Sequence, residues 1–202
     1  MVYLRTHKEL EELHRALFGA SHEPTLEEVH QVGEDHGIYL GQGSDKIVYL
    51  ITVADIGTAV LKVPKHSTYQ FDNEWIVYGE LSEQHKTAFA ITNFYVTDKD
   101  ECYSLMEYVD VAGDNQSLES ISGREFEVDY DTTLEYVIEE YYDLDYGTFY
   151  HSSIGSFLEE AMNFVADVLQ SDAAKVDMRT NIGNFGFNTN GEPVFIDWGW
   201  TG

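Results

Sequence analysis

Cysteine and basic residues are scarce in this chain, and long apolar runs are missing. A single cysteine, Cys102, stands in 202 residues. It excludes an intrachain disulfide, fits a reducing compartment, and reads as an ordinary strand residue rather than a reactive thiol. No apolar run approaches the ~20 residues that a membrane-spanning helix needs. Met1-Val2-Tyr3-Leu4-Arg5 turns charged at once and lacks a signal-peptide core, so a cytoplasmic location is expected, with no membrane partner. Lys and Arg number only 11 against 37 Asp and Glu, a formal charge of −26. That balance argues against direct nucleic-acid binding, because affinity for phosphate backbones rests on clustered Lys and Arg. It leaves three meanings for the acidity: a high-salt cytoplasm, a basic protein or cationic small-molecule partner, or imitation of nucleic acid.

Apolar residues make up 43% and aromatics 14%, enough for a sizeable core, and the length suits one domain or a small lobe plus a larger one. Residues 7–19 place Leu10, Leu13, Leu17 and Phe18 near one helical face. Pro24 and Thr25 open a short second helix, Leu26 to Val32, ahead of Gly33. Ile47–Val53 and Thr58–Val63 are β-branched runs joined by Asp55-Ile56-Gly57, which predicts a hairpin. Residues 71–85 read as helix, and 88–97 and 102–109 as strands parted by the polar turn at 98–101. Composition then shifts: Asp114 to Asp145 carries eleven acidic residues and one basic residue, Arg124, which predicts a surface insert, partly helical over Thr132–Tyr142. A longer amphipathic helix is expected over Ser153–Gln170, then a loop at 172–183. Two short strands, Phe185–Phe187 and Pro193–Ile196, close the pattern around a turn at Asn190-Gly191.

Five stretches carry residues suited to chemistry. Gly41-Gln42-Gly43-Ser44 lies between two strands, where glycines let a backbone come close to phosphates. Lys62 stands inside the apolar run Ala59-Val60-Leu61-Lys62-Val63, a costly place for an ammonium without a partner. Glu74, on the following helix among apolar residues, is its natural carboxylate. Ser104-Leu105-Met106-Glu107-Tyr108-Val109 marks the passage from strand to insert, as a connector between lobes would. Asp177, Asn181, Asn184 and Asp197 flank the closing hairpin and suit a hard cation held by oxygen, or simply turn formation.

In this order the stretches resemble protein kinases and kinase-like phosphotransferases over residues 38–199. Gly41 to Val48 resembles the glycine-rich loop, with Lys46 where a third glycine is usual. Val60-Leu61-Lys62 is similar to the Val-Ala-Ile-Lys strand, and Glu74 sits where its partner glutamate stands. Asp197-Trp198-Gly199 resembles Asp-Phe-Gly, and Asn184 precedes Asp197 by thirteen residues, the family's usual separation. The resemblance implies an α+β two-lobe fold: an N-terminal lobe over 1–109, an antiparallel sheet with one helix plus a helical extension, and a reduced, mainly helical C-terminal lobe over 110–202 with an acidic insert at 113–150. It implies ATP and Mg2+ as cofactors. Gly41, Gly43, Ser44 and Val48 would cover the nucleotide, Lys62 would hold its phosphates with Glu74 orienting it, and the Glu107 carbonyl and Val109 amide would receive the base. Asn184 and Asp197 would hold magnesium, and Asp177 would act as the base.

The catalytic loop departs from the family. Its pattern is His-x-Asp with asparagine five residues later; here Lys175 replaces the histidine, and Asp177 precedes Asn184 by seven. The sequence ends three residues past Gly199, and no activation segment is expected. Two functions follow. One is phosphate transfer from ATP to a protein or small-molecule hydroxyl, with Glu135, Glu139, Glu140, Asp143 and Asp145 favouring a cationic acceptor. The other is an inactive pseudokinase, a virus-type acidic, nucleic-acid-mimicking inhibitor or regulator that occupies the nucleic-acid site or basic surface of a partner.

Overall fold

A computed structural model describes residues 2–43, 45–66, 72–96, 102–111 and 132–198. Ser44, the turn at 98–101, residues 113–131 of the expected insert, and Gly199 lie outside the described residues. The chain divides into two compact units, residues 1–72 with 91–108, and residues 73–90 with 109–202.

The first unit opens with α1 (His7–Phe18) and α2 (Leu26–His36). Both begin with reciprocal capping boxes, Thr6 with Glu9 and Thr25 with Glu28, which satisfy backbone N–H groups that a helix start leaves open. The helix expected to stop before Gly33 runs on to His36. Gly33 is interior because a Cβ there would stand 2.6 Å from the Tyr49 ring, so the glycine permits close packing rather than ending the helix. Strands β1 (Gly37–Gln42), β2 (Lys46–Val53), β3 (Gly57–Pro64), β4 (Thr92–Val96) and β5 (Cys102–Met106) form an antiparallel sheet in the order β1-β2-β3-β5-β4.

The sheet's two faces differ. Tyr49, Ile51, Ala59, Leu61, Val63, Tyr103 and Leu105 form one core with Leu10, Leu13 and Val29 of the helices. The alternate residues of the pleat, including Val48, Val60, Lys62, Ser104 and Met106, belong to the other face.

The second unit holds α3 (Asp72–Glu80), α4 (Glu83–Lys86), β6 (Val109–Val111), α5 (Leu134–Tyr142), α6 (Ser153–Leu169), α7 (Asp172–Thr180), β7 (Phe185–Asn188) and β8 (Pro193–Phe195). The last three strands of the chain make an antiparallel sheet in the order β6-β7-β8. Val77 and Tyr78 of α3, the helix expected alongside the sheet of the first lobe, are core residues of this unit.

Two expectations are corrected here. Residues 134–142 are not a surface insert: Leu134, Val137 and Ile138 are fully buried beside Leu158, Met162 and Phe185. Residues 172–180 are not a loop but α7, whose Ala174 and Met178, one turn apart, are buried in the same core. Among the described residues no helix is long and apolar enough to cross a membrane.

In the first unit His14 stacks on Tyr95 with ring centroids 3.5 Å apart, and its Nδ1 lies 3.0 Å from the Tyr103 hydroxyl. Burial lowers the imidazole to about 4 and pushes Tyr95 up to about 12, so Tyr103 donates and a neutral His14 accepts. The unfolded chain takes up this proton near 6.5, the folded chain only near 4. Stability from His14 is therefore complete above pH 6.5 and is lost as pH falls toward 4. Thermal unfolding should show the melting temperature dropping more steeply over that interval in the wild type than in His14→Gln, which keeps an acceptor but does not titrate. Parallel curves would refute a neutral, buried His14.

Candidate functional site

In the first unit the glycine stretch spans the β1–β2 hairpin. Pairing runs Tyr39↔Tyr49 and then Gly41↔Val48, so Leu40 is the extra residue of a bulge. Gly43 N donates to Lys46 O at 3.0 Å, and Lys65 Nζ donates to Gly43 O at 2.5 Å, which fixes the mouth of the hairpin from β3's end. Neither Gly41 nor Gly43 has a left-handed φ, and a Cβ on either would meet nothing within 4 Å. Backbone angle and packing thus do not require glycine at these two positions; the space above the hairpin is open.

Lys62 lies on β3, a strand buried at all eight positions, and is itself 6% exposed. Its cross-strand neighbours are Val48 on β2 and Ser104 on β5. Opposed residues of a ladder share a face, so half-buried Val48, Lys62 and Ser104 form one row. Ser104 heads the connector stretch named in the sequence but had no role of its own there; its Oγ is buried and has no hydrogen-bond partner. The available signal was a serine inside the apolar run Cys102-Tyr103-Ser104-Leu105-Met106. Glu107 is buried as well. Its amide donates to Ile91 O at 3.0 Å and its Oε1 accepts from Ile91 N at 3.1 Å, so the side chain pins the connector to the start of β4.

The second unit carries the other candidates. Val109, expected to receive the base, opens β6 opposite Asn188 and is buried. Glu74 on α3 is 3% exposed, and its carbonyl accepts from Trp198 Nε1 at 3.1 Å. The indole also meets Phe89 edge-on at 5.0 Å, so the residue beside Asp197 is firmly anchored. Asn184 ends a 3-10 turn, Ile182–Asn184. Its carbonyl accepts from Ile196 N at 2.9 Å, and its Nδ2 donates to Asp177 Oδ2 at 2.6 Å. Asp177 and Asn184 are thereby in contact, with Asp197 one residue beyond the Ile196 bond. The seven-residue spacing closes because the end of α7 and the 3-10 turn coil the chain back on itself.

Lys175 and Arg179 have a structural task. Both bind Glu159 of α6, Lys175 at 2.6 Å, and Arg179 also reaches Glu135 with its Nε at 3.0 Å. Burial pushes Glu159 up, but the Lys175 hydrogen bond and the two cations outweigh it and hold the carboxyl below its usual range. Glu139, counted among the acids of a surface insert, is buried and accepts from Phe149 N at 2.7 Å.

Among the described residues no group of three or more His, Cys, Asp or Glu is placed to hold a metal. Asn184 and Asp197 offer an amide and a carboxylate. Such hard oxygens suit magnesium, which takes one or two carboxylates and completes its shell with water and phosphate.

No protein-family model and no curated protein matches the chain. Among solved structures it is similar to the co-crystal of the pseudokinase DRIK1 (drought responsive inactive kinase 1) bound to ENMD-2076. The identity is 13%, the TM-score 0.43, and the match covers 89% of this chain and 63% of that one. The chain thus spans less than two thirds of that protein, and a likeness this loose fixes neither fold nor activity. What the chain shows by itself is a mixed α/β architecture with a five-stranded antiparallel sheet and a helix-rich second unit.

Because Glu107 Oε1 satisfies a main-chain N–H, Glu107→Ala should lower stability by roughly 1–3 kcal/mol. Glu107→Gln, which keeps the acceptor, should recover most of it. Chemical denaturation reads both; equal losses would show that the bond to Ile91 is not what the side chain contributes.

Proposed function

We propose that the protein binds ATP with magnesium and transfers the γ-phosphoryl group to a hydroxyl, in the manner of kinase-like phosphotransferases. The observation that carries this reading is the pairing of an open glycine hairpin with a buried lysine on the adjoining strand. A Cβ at Gly41 or Gly43 would meet nothing within 4 Å, and Lys62 stands directly across from Val48. An open hairpin lets main-chain N–H groups approach phosphate oxygens, and a lysine desolvated beside it supplies the charge. The partnerless hydroxyl of Ser104, next to Lys62 in the same row, further supports a polar ligand on that face.

The chemistry needs little covalent help from the protein. Lys62 neutralises the phosphates, and Glu74 is proposed to orient it. The Glu107 carbonyl and Val109 amide are proposed to receive the base. Magnesium held by Asn184 and Asp197 would supply charge stabilisation at the phosphates. The acceptor oxygen bonds to the γ-phosphorus as the bond to the β–γ bridging oxygen breaks. ADP leaves, and the hydroxyl proton passes to Asp177. Asn184 holds the Asp177 carboxylate by one oxygen, which sets its direction. A cationic acceptor, whether a basic protein segment or an aminated small molecule, is the class that the −26 charge favours.

A second reading rests on α7. Asp177 lies within a helix, between Lys175 and Arg179 that are both tied to Glu159, rather than in a free loop. On that reading nucleotide binding persists without transfer, and the acidic surface serves as an inhibitor or regulator of a basic partner.

Thermal unfolding with and without ATP and MgCl2 tests the proposal. Saturation at about 100 times Kd adds about 2.7 kcal/mol of stability. The wild type should shift upward only when both are present, and Asp197→Asn and Lys62→Met should lose the shift while remaining folded. No shift at millimolar Mg-ATP, or an undiminished shift in both variants, would overturn it. A shift with no phosphate transferred to any basic peptide or amine-bearing alcohol would favour the second reading.

A further inference from the structure

The second unit contains a cavity of about 700 Å3 beside α5 and the end of α7. That volume lies within the range of small-ligand sites. Its walls include Tyr136, Tyr146, Tyr150, Glu135, Glu139 and Arg179. Tyr146 is 94% exposed and Tyr150 54% exposed, so two aromatic side chains stand in solvent at this cavity.

The two carboxylates differ in their partners. Glu135 pairs with Arg179 Nε at 3.0 Å and accepts from the Tyr150 hydroxyl at 2.8 Å. Arg179 is the only cation among the lining residues. It is already engaged by Glu135 and Glu159, and its guanidinium lies 5.7 Å from the Tyr150 ring centroid. Glu139 is 4% exposed, its Oε1 accepts from Phe149 N, and no cation pairs with it among the described residues. A carboxylate nearly removed from water without a countercharge is expensive to keep. Aromatic rings attract cations, and a pocket lined by Tyr136, Tyr146 and Tyr150 beside that carboxylate is suited to an ammonium or alkylated ammonium group.

We propose that this cavity binds an organic ammonium ion, with Glu139 as its countercharge and Tyr136, Tyr146 and Tyr150 as its aromatic wall. The ammonium belongs either to a free polyamine or to a lysine side chain of a basic peptide; the recognising chemistry is shared. A cationic ligand here rests on the same charge argument as the acceptor of the phosphotransfer reading, but binding requires no nucleotide.

The test is calorimetric titration of the full chain with spermidine, and separately with a Gly-Lys-Gly peptide, without ATP. Salt at about 150 mM suppresses diffuse attraction to the acidic surface. One saturable site is expected for at least one probe. Glu139→Gln keeps an acceptor for Phe149 N but removes the charge, and should weaken that binding about tenfold or more. Tyr150→Leu, at a half-exposed position, should weaken it too, whereas Glu27→Gln, an exposed carboxylate of the first unit, should leave it unchanged. Saturation by spermidine alone assigns the site to free polyamines, and by the peptide alone to a lysine side chain. Absence of a saturable site for both probes would overturn the proposal, as would equal effects of Glu139→Gln and Glu27→Gln. Because nucleotide is absent throughout, failure here is distinct from failure to bind Mg-ATP.

Discussion

The first unit must accommodate an ammonium group, that of Lys62, inside a strand that has no exposed position. β3 is the middle strand, hydrogen-bonded to β2 on one side and to β5 on the other, and each of its eight residues is buried. Its odd-numbered residues Ala59, Leu61 and Val63 supply the apolar core that holds α1 and α2. Pleating then sends Lys62 to the opposite face together with Val60, Ser104 and Met106. A strand built only for stability would carry another β-branched residue at that position, since burying an ammonium costs free energy that a methyl group does not. Lys62 is therefore informative: the fold tolerates it within a wholly buried strand, beside an orphaned hydroxyl and across from Val48 of the glycine hairpin.

The second unit depends on a different charged centre. Glu159 of α6 draws in Lys175 and Arg179, and Arg179 bridges onward to Glu135 of α5. Three helices are thereby joined by one partly buried ionic cluster, above a core where Phe149, Leu158, Met162 and Met178 are nearly or fully buried. The cluster also sets the position of Asp177, which lies between the two cations along α7. Its carboxylate is directed to Asn184 by the helix end and the 3-10 turn that follows. A substitution at Glu159 would thus act on Asp177 through the helix that carries it, without touching the carboxylate itself.

Much of the fold was legible because its signals are local. The Ile47–Val53 and Thr58–Val63 runs with their turn became β2 and β3, and the apolar face over 153–170 became α6. What misled was structure whose cause lies far along the chain. α7 has a buried stripe of only Ala174 and Met178, and its ionic anchors are distant: Glu159, 16 and 20 positions from Lys175 and Arg179, and Glu135, further still from Arg179. The acidic density of 134–145 suggested a surface, whereas Leu134, Val137 and Ile138 at helical spacing turn one face fully inward. Within the candidate site, Asp177 and Asn184 were named without the means to see that a helix end brings them together. Ser104 had no role within its stretch because a serine in an apolar strand is conspicuous only once its hydroxyl is known to lack a partner.

The net charge of −26 looks different once individual carboxylates have been placed. Glu9 and Glu28 close the capping boxes of α1 and α2, where backbone N–H bonds lead the forces that hold both below their usual range. Glu107 braces the start of β4, Glu159 joins three helices, and Asp177 accepts from Asn184. These acids perform local tasks that would be the same in a neutral protein, so the formal charge overstates what is available to a partner. Glu139 is likewise buried and holds one main-chain donor, and among the described residues no cation pairs with it. Electrostatic attraction at the surface falls off within about 8 Å at physiological salt, whereas a charge removed from water is screened far less. A general acidic field would thus draw in basic ligands without selecting among them, and selection would fall to a buried carboxylate such as Glu139.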